Sequence, residues 1–181
     1  IERIVAMIKR LNLLSRLLQR RLTDLKENLM LEYTPSFEIK NDLKEDFKKA
    51  LELSLEEEKQ KGYTLIGPHR DDFSMMIDDL DVRSFGSQGQ QRTVVLALKL
   101  AELEFLRGEA GEYPILLLDD VFSEIDDLRR IKLFEIIKQN KVQTFISTAN
   151  PKDLEDIISK QRKVFEIKAG QVGVKQDVTF G

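Results

Sequence analysis

The feature that most constrains this 181-residue chain is an apolar run, ILLLDD at 115–120, that ends in two acids. A second apolar run, VQTFISTAN, follows at 142–150. The segment between them, LRRIKLFEIIKQN at 128–140, has the spacing of an amphipathic helix. Parallel strands need a long crossover of this kind, whereas antiparallel neighbours need only a turn. The order predicts an α/β fold with a parallel sheet, whose apolar strands are buried on both faces.

Ahead of this sheet, residues 1–61 are predicted to form a helical arm. Apolar residues recur every three or four positions through residues 1–30, which favours one long helix. SFEIK at 36–40 is a candidate strand, and residues 42–61 are predicted to form a second helix that stops at Gly62.

The remaining residues, 62–181, are predicted to form an α/β lobe. Gly67 and Pro68 mark a turn between two short strands in YTLIGPHRDDFSMMID. Further predicted elements are a buried helix over TVVLALKLAELEFLR, a short helix over DLEDIISKQR, and a terminal hairpin over KVFEIKAGQVGVKQ that turns at Ala169 and Gly170.

The composition excludes several kinds of site. With no cysteine and one histidine, the chain has no disulfide, thiolate metal site, cysteine nucleophile or multi-histidine metal site. No apolar run approaches the length of a membrane helix, and the first residues do not resemble a secretory signal, so we expect a cytoplasmic protein. The formal net charge is −3, although residues 1–30 hold seven Lys/Arg and only three Asp/Glu. The chain as a whole is therefore not a general nucleic-acid binder.

The two acids at the end of ILLLDD are candidates for phosphate chemistry. Ligands of parallel sheets bind beyond the carboxyl ends of the strands, where Asp119 and Asp120 are expected to lie. Asp119 could hold Mg²⁺ through its water shell, and Asp120 could accept a proton from an attacking water. The alternative is a strand that ends in two solvated acids.

SFGSQGQQRT at 84–93 is an unusually polar and flexible start for a helix. The first N–H groups of a helix lack partners within it and attract anions. Ser87 adds a hydroxyl, Gly89 leaves space, and Gln90 and Gln91 add amide donors. The pattern predicts a phosphate contact, and the alternative is an ordinary helix cap with Ser87 at the N-cap.

Taken together, these motifs resemble the ATP-binding-cassette heads of the SMC and RecF group. SQGQQRT is similar to their signature motif, ILLLDD to Walker B and SEID to the D-loop, and GPHRDDF resembles the RecF family most closely. The resemblance covers about residues 63–150 with specific motifs. It implies the C-terminal lobe of an ABC-type ATPase head, preceded by part of the family's helical second domain.

The resemblance implies roles for individual residues. Asp119 corresponds to the Mg²⁺ acid and Asp120 to the catalytic acid. The residues that it implies at ATP across a dimer seam are Ser87, Gly89 and Gln90 of the signature motif and Ser123 and Asp126 of the D-loop. Thr148 stands roughly where many cassette ATPases have a switch histidine.

Three departures from the cassette pattern qualify this assignment. Asp120 replaces a glutamate that is common in the wider class, and Thr148 is not histidine. No G-x-x-x-x-G-K-[ST] pattern occurs in the 181 residues, so the P-loop that wraps phosphates is missing. We therefore expect the C-terminal portion of a slow ATPase, inactive by itself because no other residue set can cradle the nucleotide.

The implied activity is that of an ATP-dependent, DNA-binding protein of recombinational repair and replication within the SOS response. The resemblance implies a homodimer that forms with ATP on DNA and helps to load a recombinase at single-strand/double-strand gaps, with the mediators RecR and RecO as partners and no membrane. The alternatives are an SMC- or RecN-type head with a long coiled coil, or an interaction module that no longer uses ATP.

Two further groups of charged residues allow competing interpretations. Arg10, Arg16, Arg20 and Arg21 flank the apolar stripe of the first helix, and we expect them to contact the DNA backbone. They could equally be solvated or paired with the acidic helix at 42–61. The segment HRDD at 69–72 suggests either a His–Asp catalytic pair or an ion-paired turn, and the lack of a nearby nucleophile favours the turn.

Overall fold

The structure is a computed structural model that describes residues 1–40, 42–123, 125–150 and 163–175. They fall into two compact units, Ile1–Glu112 and Tyr113–Gly181. The described helices are α1 (Glu2–Leu22), α2 (Leu43–Lys61), α3 (Val82–Phe85), α4 (Gln88–Ala110) and α5 (Asp127–Asn140), with a 3₁₀ turn at Val121–Ser123. The described strands are β1 (Leu29–Thr34), β2 (Asp72–Ile77), β3 (Leu80–Asp81), β4 (Leu116–Asp119), β5 (Thr144–Ser147), β6 (Val164–Lys168) and β7 (Gln171–Lys175).

The first unit is built around α1 and α4, which pack along each other. Leu18 and Leu22 of α1 and Val94, Ala97 and Leu100 of α4 are among its buried apolar residues. Together with α1, the three-stranded antiparallel sheet β1–β2–β3 forms the rest of this core. The predicted helix at 93–107 is confirmed, but it is buried on one side only, since Val95 and Leu106 are exposed.

The first helix is shorter than predicted. It ends at Leu22, and residues 29–34 form β1, which pairs in antiparallel register with β2. Asp24 and Leu25 have φ angles of 54° and 63°, which a continuing helix cannot contain. Leu29 fits both a helical spacing and a strand with Leu31 on its buried face. The strand prevails because β2 supplies a partner that local periodicity does not reveal.

The second helix, α2, agrees with its prediction. Asp42 caps its start by accepting the N–H groups of Lys44 and Glu45, and Gly62 ends it with φ 74°. The predicted strand at 36–40 is wrong, because these residues form an irregular segment with Phe37 buried. Its ring lies 5.3 Å from that of Phe47 on α2, so packing on a helix replaces strand pairing.

Only one of the two strands predicted around Gly67 and Pro68 forms. Residues 72–77 are β2, but residues 63–66 are irregular. The Glu58 carboxylate of α2 accepts the N–H groups of Leu65 and Ile66, at 2.6 and 3.3 Å, which takes the place of strand pairing. These hydrogen bonds, the one from Leu65 first, lower the pKa of Glu58.

In the second unit, β4 and β5 pair in parallel and α5 connects them, which confirms the predicted strand–helix–strand order. Leu116 and Leu118 are buried, whereas Leu117 is 72% exposed and its partner Phe145 is 51% exposed. The prediction that both strand faces are buried is therefore wrong for the described residues. Inward and outward side chains alternate along a strand, and only one face of this pair is covered.

The terminal hairpin is confirmed as β6 and β7, with Ala169 and Gly170 both at positive φ in its two-residue turn. The predicted helix at 153–162 lies outside the described residues. No helix among the described residues is long and apolar enough to cross a membrane.

The boundary between the two compact units lies after Glu112, not at 61/62, because α1 packs on α4. The family's domain boundary at 61/62 stays a prediction.

Candidate functional site

The start of α4 is an exposed, fully formed capping box. Ser87 is the N-cap, and its Oγ accepts the Gln90 N–H at 3.3 Å. In return, Gln90 Oε1 accepts the Ser87 N–H at 3.0 Å and the Ser87 hydroxyl at 3.1 Å. Ser87 therefore caps the helix, and its hydroxyl must rotate before it can donate to a ligand, while its contact with phosphate stays a prediction.

The capping box leaves room for a phosphate. The N–H groups of Gln88 and Gly89 have no acceptor within the helix, because they belong to its first turn. A Cβ built on Gly89 would meet no described atom within 4 Å beyond its own neighbours and helix backbone. The helix dipole adds a partial positive charge at this end. The geometry therefore fits an anion that approaches Gly89 from outside.

The segment before the capping box is held by Gln91, which the sequence indicated only as a phosphate donor. Its amide nitrogen lies 3.2 Å from both the Val82 and Gly86 carbonyl oxygens. A Cβ on Gly86 would lie 2.5 Å from the Val82 carbonyl oxygen, so only glycine fits there. Gln91 thus faces the protein and fixes the approach to Ser87.

The Walker B-like end of β4 lies in the second unit. Asp119 is the last residue of the strand and is exposed, and its Oδ1 accepts a hydrogen bond from the Ser147 hydroxyl at the end of β5. Asp120 follows with φ 47°, a left-handed conformation that aspartate tolerates at a small cost. Its N–H donates to the Ser147 carbonyl oxygen at 3.2 Å. The parallel register therefore presents Asp119 and Asp120 at one sheet edge, as predicted.

These acids suit magnesium only if other ligands complete its shell. No group of three or more potential metal ligands occurs among the residues described. Mg²⁺ bound with a nucleotide needs just one or two protein carboxylates, because phosphates and waters fill the other positions. The Asp119 carboxylate is exposed and fits that limited role.

The D-loop residues are only partly described. Ser123 ends the 3₁₀ turn, and Glu124 lies outside the described residues. Asp126 is the N-cap of α5, where its carboxylate accepts the Arg129 N–H at 2.9 Å and pairs with the Arg129 guanidinium. Thr148 accepts the Asn150 N–H at 3.1 Å. The structure gives Asp126 and Thr148 local roles, and the predicted contact of Ser123 and Asp126 with ATP stays a prediction.

The four arginines of α1 are all exposed, and two of them, Arg10 and Arg16, contact side chains of other segments. Arg10 forms an ion pair with Glu109 at 2.5 Å and lies 4.7 Å from the centre of the Phe105 ring, both on α4. Arg16 donates to Asn28 Oδ1 at 2.7 Å. The alternative of pairing with the helix at 42–61 is not seen for these two. Contact of the four arginines with DNA stays a prediction.

The segment at 69–72 is a supporting turn. Asp71 accepts hydrogen bonds from the Tyr33 hydroxyl and from the Ser36 N–H, the latter at 2.7 Å. Desolvation opposes ionisation of Asp71, but these hydrogen bonds outweigh it and lower the pKa of its carboxyl. His69 contacts the Thr64 hydroxyl at 2.6 Å. These hydrogen bonds, with the Asp72–Arg83 ion pair at 3.7 Å, fit the interpretation of the motif as an ion-paired turn.

Sequence reasoning missed two contributors to these sites. Ser147 could have been found, since the parallel register places it opposite Asp119. Glu27 could not, because it lies in a turn within a segment that was predicted to be helical. Its carboxylate accepts the Gln90 amide at 3.2 Å.

The class of protein follows from this fold and site. The structure is similar to a solved SMC ATPase described in terms of ATP-driven dimerisation, with a TM-score of 0.58, 11% identity, and coverage of 96% of this chain and 87% of that one. At that identity the likeness shows the fold alone. Together with the parallel β4–β5 pair, this likeness confirms the predicted α/β fold with a parallel sheet, as in SMC ATPase heads.

The particular relatives are RecF proteins. The chain is 47% identical over 170 residues to the DNA replication and repair protein RecF of Alkaliphilus oremlandii, which covers 91% of this chain and 46% of that protein. A solved structure of the recombination mediator RecF with ATP, from the RecFOR pathway, has a TM-score of 0.74 and 34% identity over 94% of this chain and 44% of that one. No family model matches the sequence.

The predicted resemblance to RecF is therefore confirmed by both sequence and fold. The chain spans about half the length of the curated relatives that it matches. Its similarity reaches across both compact units, because 93% of the chain is covered by a solved RecF structure at a TM-score of 0.75.

Proposed function

We propose that this chain is the signature- and Walker B-bearing lobe of a RecF-like ATPase that acts in DNA repair and replication. One observation carries the proposal: a single chain with RecF-like sequence holds both an open, capped helix start at Gly89 and a carboxylate at the end of a parallel strand, Asp119. The first suits a phosphate, and the second suits a metal ion.

Each site residue has a role in the proposed reaction. Asp119 holds Mg²⁺, which offsets charge on the phosphates when it is bound. Asp120 accepts a proton from the water that attacks the γ-phosphate, and the shorter side chain of aspartate relative to glutamate fits a slow reaction. The N–H groups of Gln88 and Gly89 and the rotated Ser87 hydroxyl donate to the γ-phosphate.

ATP in this proposal joins two subunits. The signature motif, Ser87–Gly89–Gln90, of one subunit contacts ATP bound by the other, and Ser123 and Asp126 lie along the same seam. Hydrolysis removes the γ-phosphate contacts and weakens the dimer, because those donors then lose their acceptor. The 181 residues contain no Walker A pattern, so the phosphate cradle must come from other sequence.

The biological role that we propose follows the RecF relatives. The ATP-bound dimer binds DNA at single-strand/double-strand gaps in the cytoplasm, works with RecR and RecO, and helps to load the recombinase during the SOS response. The arginines of α1 contact the DNA backbone without reading sequence. Arg20 and Arg21 are exposed near the end of α1, which supports the arm as that surface.

An SMC- or RecN-type head is less well supported. Identity to the SMC structures is 11–12%, against 34% to the RecF structures and 42–47% to the RecF sequences. A module that no longer uses ATP is the other candidate, favoured by the lack of a Walker A pattern in this sequence. ATP binding by a completed head distinguishes that candidate from the ATPase.

The decisive experiment uses a chimera in which these 181 residues replace the matching stretch of the Alkaliphilus oremlandii RecF, hereafter the chimera. We expect calorimetry to detect ATP–Mg²⁺ binding by the chimera and no tight binding by the 181 residues alone. We also expect ATP to convert the chimera from monomer to dimer in analytical ultracentrifugation. A chimera that folds and binds ATP but stays monomeric would contradict the proposed seam.

A further inference from the structure

The carboxylate of Glu27 connects the end of α1 with the start of α4. One of its oxygens, Oε2, accepts the side-chain amide of Gln19 on α1 at 2.6 Å. The other, Oε1, accepts the side-chain amide of Gln90 in the signature motif at 3.2 Å. Glu27 lies between α1 and β1 and belongs to neither helix. Its single side chain therefore hydrogen-bonds to both α1 and α4.

Glu27 determines which way the Gln90 amide points. A primary amide can rotate by half a turn, which exchanges its donor and acceptor. Ionised Glu27 accepts only, so it selects the orientation with Nε2 toward the turn and Oε1 toward Ser87. In that orientation, Oε1 can accept the Ser87 N–H and hydroxyl. The capping box therefore depends on a residue sixty-three positions away in sequence.

The Glu27 carboxylate also fixes the orientation of the Gln19 amide. The Gln19 side chain is fully buried, and its Nε2 donates to Glu27. Its Oε1 has no hydrogen-bond partner among the described residues. A buried amide oxygen without a partner is unfavourable. The hydrogen bond from Gln19 Nε2 to Glu27 must therefore stabilise this orientation of the amide by more than the unpaired oxygen costs.

The turn at residues 23–25, just before Glu27, is fixed to α1. The Leu25 N–H donates to the Arg20 carbonyl oxygen at 2.7 Å, and the Thr23 hydroxyl donates to the Gln19 carbonyl oxygen at 2.8 Å. Asp24 and Leu25 keep positive φ angles, which are strained for leucine in particular. We expect a displacement of the end of α1 to move Glu27, and with it the partner of Gln90.

We propose that Glu27 is a positioning residue for the signature motif, through which the arm helix controls the surface that contacts ATP. The inference rests on the proposed function, since the signature motif acts only if the protein dimerises with ATP. Glu27 itself does not touch the nucleotide. It keeps Gln90 oriented, and Gln90 keeps the Ser87 N–H and the first turn of α4 in place.

The side chains at 19, 27 and 90 allow a matched pair of variants. Glu27→Ala removes both hydrogen bonds. Glu27→Gln removes the charge but can keep both, because rotation of the Gln19 amide turns its unpaired Oε1 toward the new amide nitrogen. Glu32→Ala, at an exposed glutamate on β1, is the control for a lost surface carboxylate.

The experiment measures ATP-dependent dimerisation of the chimera, with melting temperature recorded for each variant. We expect Glu27→Ala to weaken the dimer about tenfold, as for loss of a hydrogen bond to a charged group. Glu27→Gln and Glu32→Ala should stay within about threefold of wild type, a difference of less than 1 kcal/mol. If Glu27 acted on stability alone, dimerisation and melting temperature would change together. Glutamine at position 27 would then restore the dimer only if it also restored the melting temperature.

A double-variant cycle with Gln90→Ala tests whether Glu27 acts through Gln90. We expect Glu27→Ala to cause no further loss of dimerisation once Gln90 is alanine, because residues that share a contact are not additive. Additive losses, or a Glu27→Ala dimer as tight as wild type, would overturn the inference and leave the proposed function intact. Failure of the wild-type chimera to dimerise with ATP would overturn both.

Discussion

The start of α4 and the end of β4 carry two separate groups of candidate residues, and these groups are supported in different ways. Ser87 and Gln90 form a closed network of hydrogen bonds that extends to Glu27 and the buried Gln19. Asp119 is held by the Ser147 hydroxyl from the neighbouring strand, and Asp120 follows in a left-handed conformation. One end is fixed by side chains from distant elements, and the other by strand register.

This difference shows which part of each site tolerates change. The helix start depends on several side chains, so it can be loosened from a distance without touching a site residue. The strand end depends on backbone pairing, which most substitutions preserve. Substitutions at Asp119 or Asp120 should therefore alter chemistry with little effect on the fold, whereas substitutions around Ser87 should alter geometry as well. Four predictions, in order of decreasing effect, test this contrast.

The largest effect is expected from Ser87→Arg in the chimera. Ser87 is exposed at the predicted seam, and a long side chain there would hold the subunits apart. We expect ATP-dependent dimerisation to fall at least about a hundredfold, since a steric and electrostatic mismatch at an interface costs several kcal/mol. Sedimentation measures the dimer and calorimetry measures ATP binding, which should be unchanged.

Ser87→Ala is the matched variant, because it removes the hydroxyl without adding volume. It should weaken the dimer by a smaller factor than Ser87→Arg does. Equal dimerisation by wild type and Ser87→Arg would show that the signature assignment is wrong.

Asp120→Asn should stop turnover but not assembly. An amide cannot accept the proton from water, and loss of a general base typically reduces the rate by about a hundredfold or more. We expect phosphate release by the chimera to fall by that factor while the ATP-bound dimer lasts longer. Asp127→Asn is the control, since Asp127 is also an acid of the second unit and its side chain is 91% exposed. A shortened dimer lifetime in Asp120→Asn would count against its catalytic role.

Two glycines three positions apart should respond in opposite ways. Alanine at Gly86 would place Cβ 2.5 Å from the Val82 carbonyl oxygen, so we expect about 2 kcal/mol of destabilisation from overpacking. Alanine at Gly89 meets nothing nearby and favours the helix, so stability should be unchanged or rise by up to about 1 kcal/mol.

Urea unfolding of the 181-residue chain compares the two glycine variants, and the chimera shows whether Gly89→Ala still dimerises. We expect Gly89→Ala to weaken the dimer, because its methyl group occupies the space left for phosphate. A stable, fully dimerising Gly89→Ala variant would remove Gly89 from the phosphate site.

The smallest effect concerns the arm. Arg20→Glu in the chimera should make DNA affinity depend less on salt. The slope of log affinity against log salt concentration should fall in magnitude by about one, as for loss of one phosphate contact. Lys48→Glu, on the exposed surface of α2, is the matched charge reversal. Arg10 is less suitable because its substitution would also disturb Glu109 and Phe105 on α4. Fluorescence anisotropy over a salt series, with dimerisation checked separately, measures the slope. An unchanged slope in Arg20→Glu would assign DNA contact to other residues.

Much of the fold could be predicted where local signals agreed. Asp42 and Gly62 delimit α2, Ser87 begins α4, and Ala169–Gly170 turns the last hairpin, each through backbone preferences of the residues themselves. One failure lies at 23–34, where helical spacing continued into Leu29. Strand β1 forms there because β2 pairs with it, and a partner 38 to 48 residues away leaves no local trace.

The same division applies to the candidate site. Motif and strand order were enough to single out Ser87, Gly89, Asp119 and Asp120 as candidates for the chemistry. Only the tertiary structure decided how they are held. The turn after α1 brings Glu27 to Gln90, and the β4–β5 register brings Ser147 to Asp119. Hydrogen bonds act over about 3 Å, so these partners depend on where distant segments meet in space, which residue spacing along the chain does not record.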